Sequence, residues 1–267
     1  MTNDLAARYG PWAVIAGASE GIGAALADQL AAHGLDLVLI ARNKVLLDEV
    51  AARARADHGV RTVVVAQDLT DADVAAKVAA VTDDLEVGLL IYNAGASDRT
   101  SMFLDNEYDY SLKQIQLDCV GPTALVRHFG PGMVARGRGG IVLVASLACL
   151  AGSATLAMYS AVKAFQHNLA EGLWAELSPQ GVDVCCTPLG MTYTPALQRM
   201  GVDFDASAHM LSEDVAREII ENIGNGPVHV VGENNRAAAS AVWTIDRRSL
   251  VEMMTLASTD FAEKRKA

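Results

Sequence analysis

This sequence predicts an α/β fold built on a doubly wound parallel sheet, and two observations predict it. Short apolar runs alternate with longer alanine-rich amphipathic segments along nearly the whole chain, the pattern of strands joined by crossover helices. The runs are also continuous rather than alternating, as in Leu37-Val-Leu-Ile40 and Gly88-Leu-Leu-Ile91, which marks parallel strands buried on both faces. Right-handed crossovers then place helices on both faces of a Rossmann-like sheet of about seven strands. A chain of 267 residues suffices for one large α/β domain and is too short for two, so a single domain is expected over 1–267. No internal repeat, low-complexity tract or Pro/Ser-rich linker divides it.

The first strand is expected at 12–16, where Trp12-Ala-Val-Ile-Ala16 runs into Gly17-Ala-Ser-Glu-Gly21-Ile-Gly23 and then a helix beginning Ala24-Ala-Leu26. The glycines permit a tight turn and let backbone amides approach a pyrophosphate, whose charge the helix N-terminus favours. No Lys-Ser or Lys-Thr pair follows the last glycine, which excludes a P-loop. The second strand, at 35–40, carries Asp36 at its start. Four residues at about 3.3 Å each set Asp36 roughly 13 Å from the carboxyl end, where a ribose would lie. The residues at that end are Ala41 and Arg42. A guanidinium without a competing carboxylate suits a ribose 2′-phosphate, so NADP(H) is preferred and NAD(H) stays possible.

Further strands are expected at 61–66, 87–91, 141–145, 182–187 and 228–231. Ile141 to Val162 holds no charged residue over 22 positions, enough by length to span a bilayer. It opens as the β-branched Ile141-Val-Leu-Val144 and breaks at Gly152 and Ser153, so a buried strand, a loop and a buried helix fit better, with no membrane partner. The long irregular section at about 188–211 mixes Gly, Pro and Met with Leu197 and Phe204. Loops of this length often act as lids. A substrate lid is therefore expected at about 191–211, with Met191, Leu197, Met200, Phe204, Met210 and Leu211 as an adaptable apolar lining for a bulky hydrophobic substrate.

Composition excludes several functions. The formal charge is −11, and no run of Lys or Arg interrupts the acidity, so a nucleic-acid partner has no electrostatic footprint. Cys119, Cys149, Cys185 and Cys186 show no C-x-x-C spacing; they read as core thiols in a reducing, cytoplasmic compartment. The histidines show neither H-x-x-x-H nor H-E-x-x-H spacing, so no metal site is expected. Met1-Thr-Asn-Asp-Leu-Ala-Ala-Arg8 places acid before base with no apolar stretch, which argues against a secretory signal and for a mature protein that starts here.

The chemistry is carried by Ser146, Tyr159 and Lys163. In Tyr159-Ser-Ala-Val-Lys163 the phenol and the ammonium lie one helical turn apart on one face. A cation there favours a phenolate and makes a weak acid usable. Ser146 adds a second hydroxyl that can hold a carbonyl oxygen as charge develops on it. This is equipment for passing a proton while a cofactor passes a hydride.

In order along the chain these motifs resemble the short-chain dehydrogenase/reductase family in its compact single-domain form, from about Tyr9 to Val231. Gly17-Ala-Ser-Glu-Gly-Ile-Gly23 is similar to the family's T-G-x-x-x-G-I-G, with Ala16 in place of threonine. Asn93-Ala94-Gly95 is similar to its N-N-A-G segment with Tyr92 in the first position, and Asp68-Leu69-Thr resembles its adenine-side acid after the third strand. Ser146 precedes Tyr159 by the family's 13 residues, and Lys163 completes Y-x-x-x-K. Gly190-Met-Thr192-Tyr-Thr194 looks like the P-G-x-x-x-T segment over the nicotinamide carboxamide, although Leu189 stands where proline is usual.

The resemblance implies a cofactor site of Gly17, Ser19, Gly21, Ile22, Gly23, Arg42, Asp68, Leu69, Asn93, Ala94, Gly95, Tyr159, Lys163, Thr192 and Thr194, with Ser19 assisting Arg42 at the 2′-phosphate. It also implies a catalytic set of Ser146, Tyr159 and Lys163, with Lys163 touching the ribose. The largest departure is Asp118-Cys-Val-Gly121, where the family usually has N-x-x-G. Asp118, fourth member of that set, accepts a hydrogen bond but cannot donate one as an amide does. Tyr9-Gly-Pro-Trp-Ala-Val-Ile-Ala-Gly17 looks like the steroid and 3-ketoacyl reductase branch, and bears on substrate size more than identity.

The expected function is hydride transfer between NADP(H) and a carbonyl or secondary alcohol of a bulky hydrophobic molecule. The alternatives are a nucleotide-sugar epimerase or dehydratase, which reuses Tyr and Lys, and a non-catalytic dinucleotide sensor. The helix near 156–165, with Lys163 its one charge, has more apolar surface than one sheet face needs, and relatives commonly pair through it, so a homodimer or homotetramer is expected.

Overall fold

The computed structural model describes residues 5–95, 99–199, 201, 203, 205 and 209–264. A short helix α1 (Leu5–Tyr9) precedes strand β1 (Trp12–Ala16), and α2 (Gly21–Ala32), β2 (Asp36–Ala41), α3 (Lys44–His58) and β3 (Thr62–Ala66) follow. Then come α4 (Val74–Thr82), β4 (Val87–Tyr92), α5 (Tyr108–Ile115), a π-helical segment (Gln116–Val120), α6 (Gly121–Arg136) and β5 (Gly139–Ser146). The long α7 (Ala157–Leu177) leads to β6 (Val182–Leu189). Beyond it lie β7 (Thr192–Tyr193), α8 (Pro195–Arg199), β8 (Met210–Leu211), α9 (Ser212–Glu221), α10 (Glu233–Val242) and α11 (Arg247–Lys264).

The six main strands pair in the order β3-β2-β1-β4-β5-β6, all in parallel. Successive residues feed opposite faces. Ile15, Leu37, Leu39 and Ile91 pack with Leu26, Leu30, Leu47 and Ile219 of α2, α3 and α9. Val14, Val38, Ile40 and Leu90 pack with Val78, Leu125, Phe129 and Ala170 of α4, α6 and α7. Burial on both faces is what continuous apolar runs require. The strand order reverses between β1 and β4, which opens a crevice at their carboxyl ends.

The strand count is corrected from about seven to six. The stretch 228–231 runs beside β6, but its pairing amounts to the parallel bridge between Cys186 and Val228. Cys186 N donates to Pro227 O at 2.8 Å, His229 N to Cys186 O at 2.9 Å and Val231 N to Pro188 O at 3.1 Å. Pro188 has no N–H to return the next bond, so the ladder is interrupted.

The uncharged stretch from Ile141 resolves into β5, a short 3-10 turn (Leu147–Leu150) and the start of α7. Among the described residues no helix is long and apolar enough to cross a membrane. The C-terminal helices fold back over that turn. Val242 and Leu250 bury Ala151, Arg247 Nη1 donates to Leu150 O at 2.9 Å and Ser258 Oγ to Ala154 O at 2.8 Å.

Candidate active site

The glycine turn is built at the crevice. Gly17 N and Ala18 N donate to Ile40 O at 2.7 and 3.2 Å, which folds the chain sharply over β2. Gly17 and Gly21 have φ of +88° and +56°, left-handed values that glycine adopts without strain. A Cβ on Gly17 would lie 2.8 Å from Ala94 N, and one on Gly23 would run into the Gly17 carbonyl oxygen. Asn93 Nδ2 donates to that same oxygen at 2.9 Å, and Asn93 N and Ala94 N both donate to Ala16 O at 2.9 Å. Asn93 and Ala94 thus buttress the turn from β4, while Gly21, Ile22 and Gly23 open α2 with their amides at its N-terminus.

Half-buried Ser19 lies in this turn, and Glu20 beside it points to α8. Arg199 Nη1 and Nη2 donate to the two Glu20 carboxylate oxygens at 2.8 and 2.5 Å. Thr194 caps α8 by accepting from Leu197 N at 3.3 Å, and its methyl lies 3.1 Å from where a Cβ on Gly21 would be. Thr192 is buried on β7, its Oγ1 3.5 Å from Gly190 O. The described part of the 191–211 section thus carries β7, α8 and β8, and its Thr194 and Arg199 lie against the glycine turn. Met191 and Leu211 are exposed and Met210 is half-buried. Met200 and Phe204 lie outside the described residues.

Arg42 is exposed at the carboxyl end of β2. Asp36, at the opposite end, accepts from Arg61 N at 2.7 Å and from Arg61 Nε at 2.8 Å, and so fastens β2 to β3. Asp68 accepts from Thr70 N at 2.9 Å and Thr70 Oγ1 at 2.8 Å. Partial burial pushes its carboxyl up, but the Thr70 bonds, with Arg42 and Lys113 nearby, hold it below the usual range. Leu69 beside it is buried.

Tyr159 is the third residue of α7, half-buried in a cleft it lines with Ser101, Phe103, Gln114, Thr155 and Met158. Lys163 lies one turn further in, 1% exposed, with Nζ 5.8 Å from the Tyr159 ring centroid. Nζ donates to Val144 O of β5 at 3.2 Å, two residues before Ser146. Ser146 ends β5 and its Oγ accepts from Ala148 N at 3.2 Å. The capping role leaves its own O–H able to donate.

Asp118 sits in the π-helical segment, 2% exposed, with Oδ1 2.9 Å from Lys163 Nζ. The widened turn is fastened from β4, where Tyr92 Oη donates to Leu117 O at 2.5 Å. A Cβ on Gly95 would run into Asp118 Oδ1 and lie 2.8 Å from Lys163 Nζ, so the absence of a side chain at 95 lets the pair pass beneath the Asn93-Ala94-Gly95 segment. Burial pulls the Lys163 ammonium down, but Asp118 and Tyr159 outweigh it and the ammonium ends above its ordinary 10.5. Gln166, fully buried one turn beyond Lys163, was not legible as a site residue. Its Oε1 accepts from Lys163 Nζ at 3.1 Å and its Nε2 donates to Asp118 Oδ1 at 3.4 Å.

The fold thus brings Tyr159, Lys163, Asp118 and Gly95 together, with Ser146 two residues past the Val144 carbonyl that holds Lys163. Arg42 and Asp68 lie apart from them, at the ends of β2 and β3. Among the described residues no cluster of His, Cys, Asp and Glu could hold a metal. A second pocket, lined by Leu5, Arg8, Tyr9 and Ile220, lies at the amino ends of the strands, away from these groups.

A family model described as short chain dehydrogenase matches residues 11–203. The chain is 31% identical over 248 residues to a 7beta-hydroxysteroid dehydrogenase of Clostridium sardiniense, covering 91% of this chain and 94% of the relative. It is 35% identical over 184 residues to a very-long-chain 3-oxoacyl-CoA reductase of Anas platyrhynchos, covering 67% of this chain and 59% of that relative. A solved structure addressing 7beta-hydroxysteroid dehydrogenase stereoselectivity superposes with a TM-score of 0.87 at 26% identity, over 94% of this chain and 98% of the other. A short-chain dehydrogenase from Sphingobium yanoikuyae in complex with NADPH superposes with a TM-score of 0.79 at 32% identity, over 88% and 92%.

Proposed function

The chain belongs to the short-chain dehydrogenase family and is an oxidoreductase acting on CH–OH groups with a nicotinamide dinucleotide; from that premise we propose that it prefers NADP(H) and works on a bulky hydrophobic ketone or secondary alcohol. The observation that carries the chemistry is the Tyr159 ring beside the Lys163 ammonium and open to a cleft. The residues fit a dinucleotide: at Gly17 and Gly23 a Cβ would meet the backbone of Ala94 and Gly17, so the bare glycines keep the turn tight at the N-terminus of α2, whose amides can hold a pyrophosphate. When bound, the dinucleotide supplies or takes up the hydride. Tyr159 gives a proton to the carbonyl oxygen in reduction and removes it in oxidation. The Ser146 hydroxyl donates to the same oxygen and gains most when that oxygen is most charged. Lys163 fixes the electrostatic setting of Tyr159 from 5.8 Å away.

The apolar side chains of the 191–211 section and the similarity to steroid and long-chain acyl enzymes support a large hydrophobic substrate. An NADPH-oxidation screen across steroid ketones, β-ketoacyl esters, quinones and small aldehydes tests this. Turnover concentrated on the bulky ketones is expected. Preference for small polar aldehydes would refute the substrate class. Tight NADPH binding with no turnover on any compound would point to a non-catalytic sensor.

Arg42 supports the NADP(H) preference, because a charge-assisted contact to a 2′-phosphate is worth roughly ten- to a hundredfold in affinity. Arg42→Ala should erase most of the preference while sparing NAD(H) use, measured as the ratio of kcat/KM values. A parent enzyme already faster with NADH would contradict the assignment. Exposed Leu112, Ile115, Val120 and Phe165 on α5, the π-helical segment and α7 support a homodimer or homotetramer with isologous contacts. Light scattering at micromolar concentration should give a multiple of the chain mass, and a monomeric mass would refute the assembly.

A further inference from the structure

An ammonium has three N–H donors, and the protein uses all three of Lys163's. They go to Asp118 Oδ1, Gln166 Oε1 and Val144 O at 2.9, 3.1 and 3.2 Å. Asp118 and Lys163 are 2% and 1% exposed, so water neither screens the pair nor competes for it. An amide at 118 would accept the same hydrogen bond through its oxygen and bring no charge. With a carboxylate there, the cation facing the Tyr159 ring at 5.8 Å is half of a neutral pair, and its field at the phenol weakens toward that of a dipole.

We propose that Asp118 is a charge-setting positioning residue: by neutralising Lys163 from the buried side, it places the pH range of proton transfer higher than an amide at the same position would. The inference rests on the oxidoreductase reading above. The other titratable groups that act on Lys163 or feel its charge are Tyr159 on its own helix, Cys119 beside Asp118, Cys149 in the turn after β5 and Cys186 on β6. The thiols stay neutral, because burial pushes Cys119 up to about 11 and Cys149 up to about 12, and raises Cys186 well above its ordinary range. Glu171, further along α7, acts on Cys149 and Cys186 rather than touching Lys163. Among the described residues Asp118 is therefore the carboxylate paired with this lysine. Gln166 fixes the geometry by bonding both partners without adding charge.

The test is kcat/KM for ketone reduction from about pH 6 to pH 10 in the parent, Asp118→Asn and Gln166→Leu, with NADPH affinity by nicotinamide fluorescence and melting temperature alongside. In Asp118→Asn the lysine keeps its charge without its counter-ion, and the donor form of the phenol is lost at lower pH. The alkaline limb should move down by about one unit, with NADPH affinity within about threefold of the parent. Gln166→Leu leaves both charges in place and should lower kcat without moving the limb. A limb in Asp118→Asn within about a third of a unit of the parent, in a folded protein that binds NADPH normally, would overturn the proposal. Should the asparagine variant fail to fold, Asp118→Ser carries the same expectation, and unfolding of both would make Asp118 purely structural and overturn it as well. A parent without turnover sinks the oxidoreductase reading and this inference with it, whereas an active parent with an unmoved limb sinks the inference alone.

Discussion

Tyr159→Phe is expected to lower kcat by about 10²- to 10⁴-fold, the range that positioned general acids contribute, while leaving NADPH affinity within about threefold. The ring stays, so the side chain still fills its place beside Lys163 and against the cleft; only the hydroxyl proposed to pass the proton is lost. Ser146 is not expected to substitute, since an aliphatic hydroxyl is a far weaker acid than a phenol. Single-turnover oxidation of bound NADPH is the measurement that separates chemistry from release. A rate in the phenylalanine variant within a few-fold of the parent would remove Tyr159 from the role of acid.

Lys163→Met is expected to destabilise the fold by about 3–5 kcal/mol, the cost of leaving one partner of a buried ion pair uncompensated. Asp118, 2% exposed, would keep the Gln166 Nε2 contact at 3.4 Å in place of its cation. For a domain of this size the loss corresponds to roughly 6–20 °C in Tm. Replacing the whole cluster, as Lys163→Met with Asp118→Leu and Gln166→Leu, should recover most of that stability, because no buried polar group is then stranded. Burial lowers and Asp118 raises the Lys163 ammonium, with the net effect upward from 10.5. The stability it contributes is therefore fully present below that pH and is lost as pH rises through the higher folded value. Denaturant unfolding of the single and triple variants checks the pair, and a single variant as stable as the parent would show that Asp118 is not charged in the fold.

Most of the sheet was legible because parallel strands buried on both faces need unbroken apolar runs, and those runs stand in the sequence. The glycine turn was legible for a similar reason, since Gly17 and Gly23 occupy places where a Cβ has no room. Tyr159 and Lys163 could be read from helical spacing. The interrupted seventh strand was not, because the missing bond depends on register, which places Pro188 opposite the segment that ends at Val231. Gln166 was missed because a glutamine three residues past a lysine resembles any exposed polar helix position. Its burial comes from the π-helical segment packing across α7, and that widened turn is held by a tyrosine 25 residues earlier on β4. The contact of Asp118 with Lys163 likewise joins residues 45 apart through the side-chain gap at Gly95. The C-terminal helices carry no chemical motif, and their role as a cover over the turn after Ser146 emerges only from packing.

In the proposed reaction this chain transfers hydride between a nicotinamide and a carbonyl carbon, with Tyr159 passing the proton. The most direct measurement is reduction of a bulky ketone with NADPH deuterated at the transferred C4 position, followed by mass spectrometry and NMR of the product. One deuterium is expected on the new carbinol carbon, with an ordinary proton on its oxygen and no labelled product from Tyr159→Phe on the same timescale. Deuterium retained entirely on the cofactor while NADPH binds tightly, or deuterium found anywhere but the carbinol carbon, would contradict it.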